Sequence, residues 1–216
     1  IYTLSLHDAL PIFDRDEGTL HASGNVVSEL VDKQKEQTKP TDKGAGQGKG
    51  PAAGPKSAGP IVYTVVHAPD MLYHDDERVA DYTGGVKLVR GDMTMTAKRL
   101  RAFLTKEESK PQADPKNTKP VAGSAAQGDT SLDHAFGDGD VVIVQVAADR
   151  TRTGTSQHCE YYPKDDKVIL NGGTAKLVDS RKGVTVGRQL TFFSKKDRLL
   201  VDGEANAPVV SDMLHK

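Results

Sequence analysis

The sequence predicts an all-β chain, and three observations lead to that prediction. Short segments with alternating apolar and polar residues, rich in β-branched side chains, recur along the chain. Glycines and Asp-Asp or Lys-Asp pairs, which favour turns, separate these segments. No segment carries a helical stripe of apolar residues flanked by capping residues.

The predicted strands follow one another in a regular order. They are VKLVRG, MTMTAKRLRAFL, VVIVQVAADRTRTGT, KVILNGGTAKLVDS, VTVGRQLTFF and RLLVDG. KRLRAFLTKEES could form a short helix by propensity alone. It is interpreted as a strand because it aligns with the other strands of the chain.

One structural unit recurs. YYPKDDKVILNGG (161–173) resembles FFSKKDRLLVDGE (192–204), with a shift of 31 residues from Asp166 to Asp197. LYHDDERVADYTG (72–84), FDRDEGTLHASGN from Phe13 and the partial HAFGDGDVVIV follow the same pattern. Each unit has an aromatic residue, a carboxylate-rich turn, a strand, a glycine corner and another strand. Such a unit cannot bury its apolar face alone, so the units must stack or close on one another.

Alternation within the units predicts one aliphatic face, with polar residues such as Lys87 and Lys176 on the other. The aliphatic face is predicted to contain Val26, Val86, Leu88, Leu100, Val141, Ile143, Val168, Leu170, Ala175, Leu177, Leu190, Phe192, Leu199 and Val201.

Two stretches interrupt the pattern. Residues 33–60 and 106–130 are rich in Gly, Pro, Lys and Ala and have few large apolar residues. They cannot bury enough surface to offset the entropy of ordering, so both are predicted to be flexible insertions. The first is no phosphate-binding loop, because no strand leads into it and no helix pattern follows. The β units then occupy residues 13–32, 61–105 and 131–210, with a tail at 211–216.

The first twelve residues, IYTLSLHDALPI, match a single-frame translation of a common short-read sequencing adapter. We therefore interpret them as foreign to the native chain; the alternative is a genuine short amphipathic segment. The repeat begins at Phe13, directly after this string. We expect the native start, with any signal sequence or membrane anchor, to lie upstream of this fragment.

Composition excludes several classes of protein. The chain has 216 residues, with 29 basic against 30 acidic side chains, so it has no electrostatic footprint for nucleic acid. Its single cysteine excludes an internal disulfide. No apolar run approaches the roughly 18 residues of a membrane-spanning helix.

The repeated motifs resemble the OstA/LptA-like family of lipopolysaccharide-transport proteins. The resemblance rests on Gly24-Asn25-Val26, on Gly85-Val86-Lys87-Leu88, on TMTAKRL at 94–100 and on NGGTAKL at 171–177. It covers Phe13 to about Pro208 apart from the two insertions. It implies an open β-jellyroll, in which two antiparallel sheets form a V-shaped trough.

The resemblance also implies a function. Family members are periplasmic and carry lipopolysaccharide from the inner to the outer membrane, with the acyl chains of lipid A in the trough. The aliphatic residues named above would then line the trough and bind lipid. Partners would be lipopolysaccharide and other jellyroll-bearing transport proteins, paired through edge strands. No cofactor, metal or nucleic acid is implied.

The sequence offers weak grounds for catalysis. His158 and Cys159 are adjacent on a predicted strand, so they point to opposite faces and cannot converge on one ion. Cys159 is expected to be a small residue packed in the sheet. His67, His74 and His134 lack metal-ligand spacing. Asp75-Asp76-Glu77 and Asp165-Asp166 recur at one place in the unit, which favours turn chemistry over paired catalytic acids.

The sequence thus predicts a non-enzymatic, lipid-binding transport module. The alternative is a structural β-repeat or filament module, with a packed interior and no ligand. A polymer-degrading enzyme is a weaker alternative, because the sequence shows no convergent acid pair.

Overall fold

The computed structural model describes residues 3–6, 12–14, 17–33, 61–106, 130–194, 197–203 and 210–213. These residues form fourteen strands and one short 3₁₀ helix, Pro163–Asp165. The strands are β1 (Thr3–Leu6), β2 (Ile12–Asp14), β3 (Thr19–Lys33), β4 (Ile61–His74), β5 (Val79–Arg90), β6 (Met93–Lys106), β7 (Thr130–Ala147), β8 (Arg150–Tyr162), β9 (Lys167–Asn171), β10 (Ala175–Asp179), β11 (Gly183–Gly187), β12 (Gln189–Phe193), β13 (Arg198–Asp202) and β14 (Val210–Met213).

All strand pairs described are antiparallel, and they form one hydrogen-bonded sheet. Its main path runs β1-β3-β4-β5-β6-β7-β8-β10-β11-β14. Two branches leave this path: β2 pairs with β3, and β9, β12 and β13 follow one another from β8. The sheet stays open, with β1 and β2 at one end and β13 and β14 at the other. The predicted all-β, open jellyroll is confirmed.

A line of bends divides this sheet into two walls. The pairing register shifts in the middle of β3, β4, β5, β6 and β7, and each shift faces the shift in the neighbouring strand. Gly24, Gly84, Gly85 and Gly139 lie at the shifts with positive φ angles. Such bulges bend a strand sharply. Beyond β8 the same line passes through Gly172 and Gly173, between β9 and β10.

Each long strand therefore contributes to both walls. The first wall contains β2, β9, β12 and β13, with the halves of β3–β8 that pair with them. The second wall contains β1, β10, β11 and β14, with the other halves. The glycine corners predicted from the repeat coincide with this line, and the two-sheet trough is one sheet folded along it.

The fourteen residues of the predicted aliphatic face all belong to one core between the walls. Twelve are buried, and Leu199 and Val201 are partly buried against them. Outward neighbours such as Lys87 and Lys176 are exposed. The predicted face is therefore the inner face of both walls, while its contact with lipid stays a prediction.

The predicted boundaries need small corrections. Lys33, Lys106 and Thr130 belong to strands, so the structured parts reach one residue into each predicted insertion. Residues 34–60 and 107–129 lie outside the described residues. Within the predicted tail, residues 211–213 belong to β14, whose backbone pairs with β11.

Part of the adapter-like string lies in the sheet. Thr3–Leu6 forms β1 and pairs with residues 26–29 of β3, and Ile12 begins β2. A strand at a sheet edge needs only backbone hydrogen bonds, so a segment of any origin can add there. The foreign origin of residues 1–12 stays a prediction.

We expect the corner to tolerate a side chain poorly at Gly84. Its φ is +89°, and an added Cβ would lie 2.9 Å from Cγ of Pro69. Gly84→Ala should lower the free energy of unfolding by about 1–3 kcal/mol, measured by urea denaturation. Gly91→Asn is the control, since Gly91 has a φ of +55° with no atom within 4 Å of its added Cβ. Asn tolerates that conformation, so equal losses in both variants would contradict the account.

Candidate ligand site between the two walls

The interior next to the corner is apolar and closed. Val86 pairs with Ala97 beside the corner, and Leu88 pairs with Met95 one row further out. All four are buried, and β3 contacts β7 across the interior. Over this part of the molecule the walls fill the space between them with their own side chains.

A cavity of about 490 Å³ opens where the strands of the C-terminal end face one another. Strands β8, β10, β11 and β14 of the second wall lie on one side, and β12 and β13 of the first wall on the other. Its apolar lining comes from Leu177, Phe192 and Leu199. The volume falls within the roughly 300–1,000 Å³ that is typical of small-molecule sites. Three of the fourteen predicted residues therefore line this cavity.

The rim of the second wall is polar. One row of cross-strand partners crosses that wall at the end remote from the corner. The row consists of Leu30, Thr64, Arg90, Met93, Gln145, Arg152 and Asp179, of which only Leu30 and Met93 are apolar. Arg90 is buried and donates to Oγ1 of Thr64 over 2.7 Å. The inner surface thus changes from aliphatic at the corner to polar and charged at the rim.

Two arginines face the cavity from this rim. Arg150 and Arg152 lie two residues apart on β8, so both side chains point to the same face. Their side chains are 14% and 8% exposed. Asp179, the cross-strand partner of Arg152, is bound by both, with 2.7 Å from Nε of Arg150 and 3.2 Å from Nε of Arg152.

A single carboxylate from the first wall joins this group. Asp197 lies in the turn between β12 and β13, with a φ of +47°. Both arginines donate to its Oδ1, and Nζ of Lys182 lies 2.9 Å from its Oδ2. Its side chain is 52% exposed. These ion pairs cross the open side of the trough and connect the two walls.

The two carboxylates remain ionised. Burial alone would raise the pKa of Asp179, but hydrogen bonds from Arg150, from the backbone N–H groups of Arg181 and Lys182 and from Arg152 hold it well below its ordinary value. Hydrogen bonds from Lys182 and Arg150 lower the pKa of Asp197 to about 2. The hydrogen bond to Asp179 in turn raises the pKa of Arg150.

Sequence analysis did not single out this charged group. The alternation along β8 could have indicated that both arginines face inward, because Arg150 and Arg152 are in phase with the inward-facing Gly154 and Ser156. Asp197 was recognised only as a turn residue of the repeat. Its arginine partners come from the opposite wall, 45 and 47 residues away in sequence.

The residues weighed for catalysis lie apart. Cys159 is fully buried on the inner face, and burial raises the pKa of its thiol. His158 is on the outer face, with Nδ1 2.6 Å from Oδ1 of Asp138. The prediction that these neighbours point to opposite faces is confirmed.

The histidines and acidic clusters considered as metal or catalytic sites also lie apart from one another. His134 pairs with its neighbour Asp133, whereas His67 is exposed on β4. The acidic clusters at 75–77 and 165–166 lie in turns or at their ends, as predicted. In the described parts of the chain, no three His, Cys, Asp or Glu side chains are grouped to hold a metal ion. Across the same residues, no helix has the length and apolar character needed to cross a membrane.

Comparison with known proteins gives two matches. A family model described as "LptA/(LptD N-terminal domain) LPS transport protein" matches residues 66–198, well over half of the chain. Among solved structures, LptH from Pseudomonas aeruginosa matches with a TM-score of 0.52 and 12% identity. LptH is described as the LptA-homologous periplasmic component of the lipopolysaccharide transport device. The match covers 71% of this chain and 94% of LptH, and at this identity it supports the fold alone. No curated protein sequence matches the chain.

The ion pairs across the trough predict a specific dependence of stability on pH. The pKa of Asp197 is lowered by folding, so its contribution is complete above its unfolded value of about 3.9 and is lost as the pH falls toward 2. The stability difference between the wild type and Asp197→Asn should therefore be constant above about pH 5 and shrink below it. Urea denaturation between pH 2.5 and 7 measures this difference. A difference that does not change with pH would contradict the ion pairing.

Proposed function

Since this chain belongs to the family of LptA-like and LptD N-terminal lipopolysaccharide-transport proteins, we propose that it is a periplasmic carrier of lipopolysaccharide. In this proposal the acyl chains of lipid A lie between the two walls, and the carrier passes the lipid toward the outer membrane. The carrier role is non-enzymatic. The periplasmic location is supported by the description of LptH as a periplasmic component.

One observation carries the proposal: the aliphatic core between the walls opens directly into the cavity lined by Leu177, Phe192 and Leu199. An acyl chain that enters there can lie against the apolar side chains of Leu177, Phe192 and Leu199. Each buried methylene contributes about 0.8 kcal/mol, so a ten-carbon segment gains at most roughly 8 kcal/mol. The open side of the trough leaves part of the lipid in water, which keeps release possible.

The cavity is too small for several acyl chains together, so further chains require the walls to separate. The first and second walls are continuous through the glycine corner. Away from the corner, the described ion pairs that join them are those of Asp197. The walls can therefore open at the rim while the corner stays intact.

A structural module without a ligand is the second candidate, and the dense packing of Leu88, Met95 and Ile143 favours it. The two functions differ in what the purified protein contains. Native mass spectrometry after expression in a host that makes lipopolysaccharide separates them. Bound lipid supports the carrier, and a lipid-free protein that polymerises supports the structural module.

The ends of the open sheet support assembly with other jellyroll proteins. Strands β13 and β14 form one end, and β1 and β2 form the other, so each end presents an edge to a neighbour. Unpaired edge strands accept an additional strand through backbone hydrogen bonds. Pairing of opposite ends would give a head-to-tail stack in which the trough continues from one molecule to the next.

Photo-crosslinking tests the position of the lipid. A photo-crosslinking amino acid in place of Leu177 or Phe192 should capture lipopolysaccharide, because both side chains line the cavity. The same amino acid in place of Lys176 should capture several-fold less, since Lys176 lies on the outer face of the same strand as Leu177. Leu88 and Lys87 form a second inner and outer pair, within the closed part of the interior. Equal capture on both faces would contradict a lipid site between the walls.

Removal of residues 1–12 tests edge pairing. Residues 26–29 of β3 would lose β1 as their partner, so the shortened chain should form larger head-to-tail species in analytical ultracentrifugation. Val210→Lys in the shortened chain should reduce this association, because a lysine on the edge strand β14 opposes pairing. Val178→Lys is the matched control: Val178 is also exposed but lies on β10, between two paired strands. An unchanged sedimentation coefficient after removal of residues 1–12 would contradict the assembly model.

A further inference from the structure

The charged group at the trough opening contains more positive than negative charge. Arg150, Arg152 and Lys182 supply three cations, and Asp179 and Asp197 supply two carboxylates. Arg198 also lines the cavity. A cavity that is apolar at Leu177, Phe192 and Leu199 is thus bordered by a group of cations with incomplete neutralisation, which is a suitable environment for an additional anion.

The two carboxylates hold the arginines in different ways. Asp179 is nearly buried and accepts hydrogen bonds from Arg150, Arg152 and two backbone N–H groups, so it is a fixed part of the second wall. Asp197 is half-exposed in a turn, and among the described residues its carboxylate is bound through charged side chains of the opposite wall. Of the two, Asp197 is the partner that an incoming anion can replace.

The geometry of the donors suits a phosphate monoester. Arginine guanidinium groups present parallel N–H donors that bind planar carboxylates and phosphate oxygens in the same manner. A phosphate monoester carries about 1.5 to 2 negative charges at pH 7 and three acceptor oxygens, compared with one charge and two oxygens for Asp197. Phosphate is therefore the stronger competitor for Arg150, Arg152 and Lys182.

We propose that Asp197 is an exchangeable latch, whose place on Arg150 and Arg152 is taken by the phosphate headgroup of an amphiphile with its alkyl chain against Leu177, Phe192 and Leu199. The exchange binds the headgroup and at the same time removes the ion pairs that hold the walls together at the rim. The site thereby couples phosphate binding to opening of the trough. This inference rests on the proposed carrier function, because it assigns the headgroup specificity of the same trough.

Calorimetric titration with three probes tests the latch: dodecyl phosphate, dodecyl maltoside and inorganic phosphate, with the amphiphiles below their critical micelle concentrations. The wild-type protein should bind dodecyl phosphate about tenfold more tightly than dodecyl maltoside, since charged hydrogen bonds contribute at this level. Inorganic phosphate should bind at least about a hundredfold more weakly than dodecyl phosphate, because it lacks the alkyl chain. Comparable binding of inorganic phosphate would overturn the assignment to a lipid headgroup.

Asp197→Asn is the decisive variant. It removes the competing charge while asparagine tolerates the positive φ of this turn, so the fold is retained. The preference for dodecyl phosphate over dodecyl maltoside should increase about tenfold. Arg150→Gln should reduce the same preference about tenfold, with Asp179 still held by Arg152 and backbone N–H groups. Lys176→Gln, on the outer face, should leave it unchanged.

The outcomes separate the latch from the carrier. If both amphiphiles bind but the preference is the same in wild type and Asp197→Asn, the latch is wrong and the apolar site stands. If neither amphiphile binds, the carrier function fails and the latch fails with it. A gain of phosphate preference in Asp197→Asn cannot come from misfolding, so that result supports the exchange directly.

Discussion

The alignment of β-bulges along one line is the constraint on which this structure depends. Five neighbouring strands change register at the same level, and glycines with positive φ lie at most of these positions. Without the bends, one long antiparallel sheet would leave its aliphatic face in water. With them, the two halves of each strand face one another, so a single sheet supplies both sides of its own core. The core, the cavity and the charged rim all follow from this folding of the sheet.

A packed interior is compatible with a carrier because the attraction between aliphatic groups is non-directional. Leu88, Met95 and Ile143 lose little if contacts with the opposite wall are replaced by contacts with an acyl chain, since both remove the same surface from water. The cost of opening is then concentrated in the groups that do have directional partners. In the described residues these include a buried hydrogen bond from Oγ of Ser28 to Sδ of Met71 and, at the rim, the ion pairs between Asp197 and the second wall. The ion pairs are the charged ones, so a device that controls opening is most effective there.

Much of this structure was predictable from local sequence. Period-two alternation identified the inner face, because side-chain direction in a strand depends only on parity. Glycines identified the corner, and Asp-rich segments identified the turns, because both act through local backbone geometry. What the sequence did not reveal depends on how the walls face each other. The pairing of Arg150 with Asp197 spans 47 residues, and whether Leu88 is covered or Leu177 is open depends on the distance between walls. The sequence did not reveal β14, because residues 211–213 (Ser-Asp-Met) show no apolar alternation. Their pairing with β11 uses backbone groups, which any residue supplies.

The order of side chains from corner to rim gives a bound amphiphile one orientation. The inner surface is aliphatic at Val86 and Ala97, remains apolar at Leu88 and Met95, and becomes charged at the row containing Arg90 and Arg152. An alkyl chain is most stable toward the corner, and an anionic headgroup is most stable at the rim. Addition of a neighbouring sheet at either edge preserves this order, because antiparallel pairing in register keeps inward residues on the same side. In the proposed stack, a lipid would therefore move from one molecule to the next without turning over, and its headgroup would meet the cationic rim of each molecule in sequence.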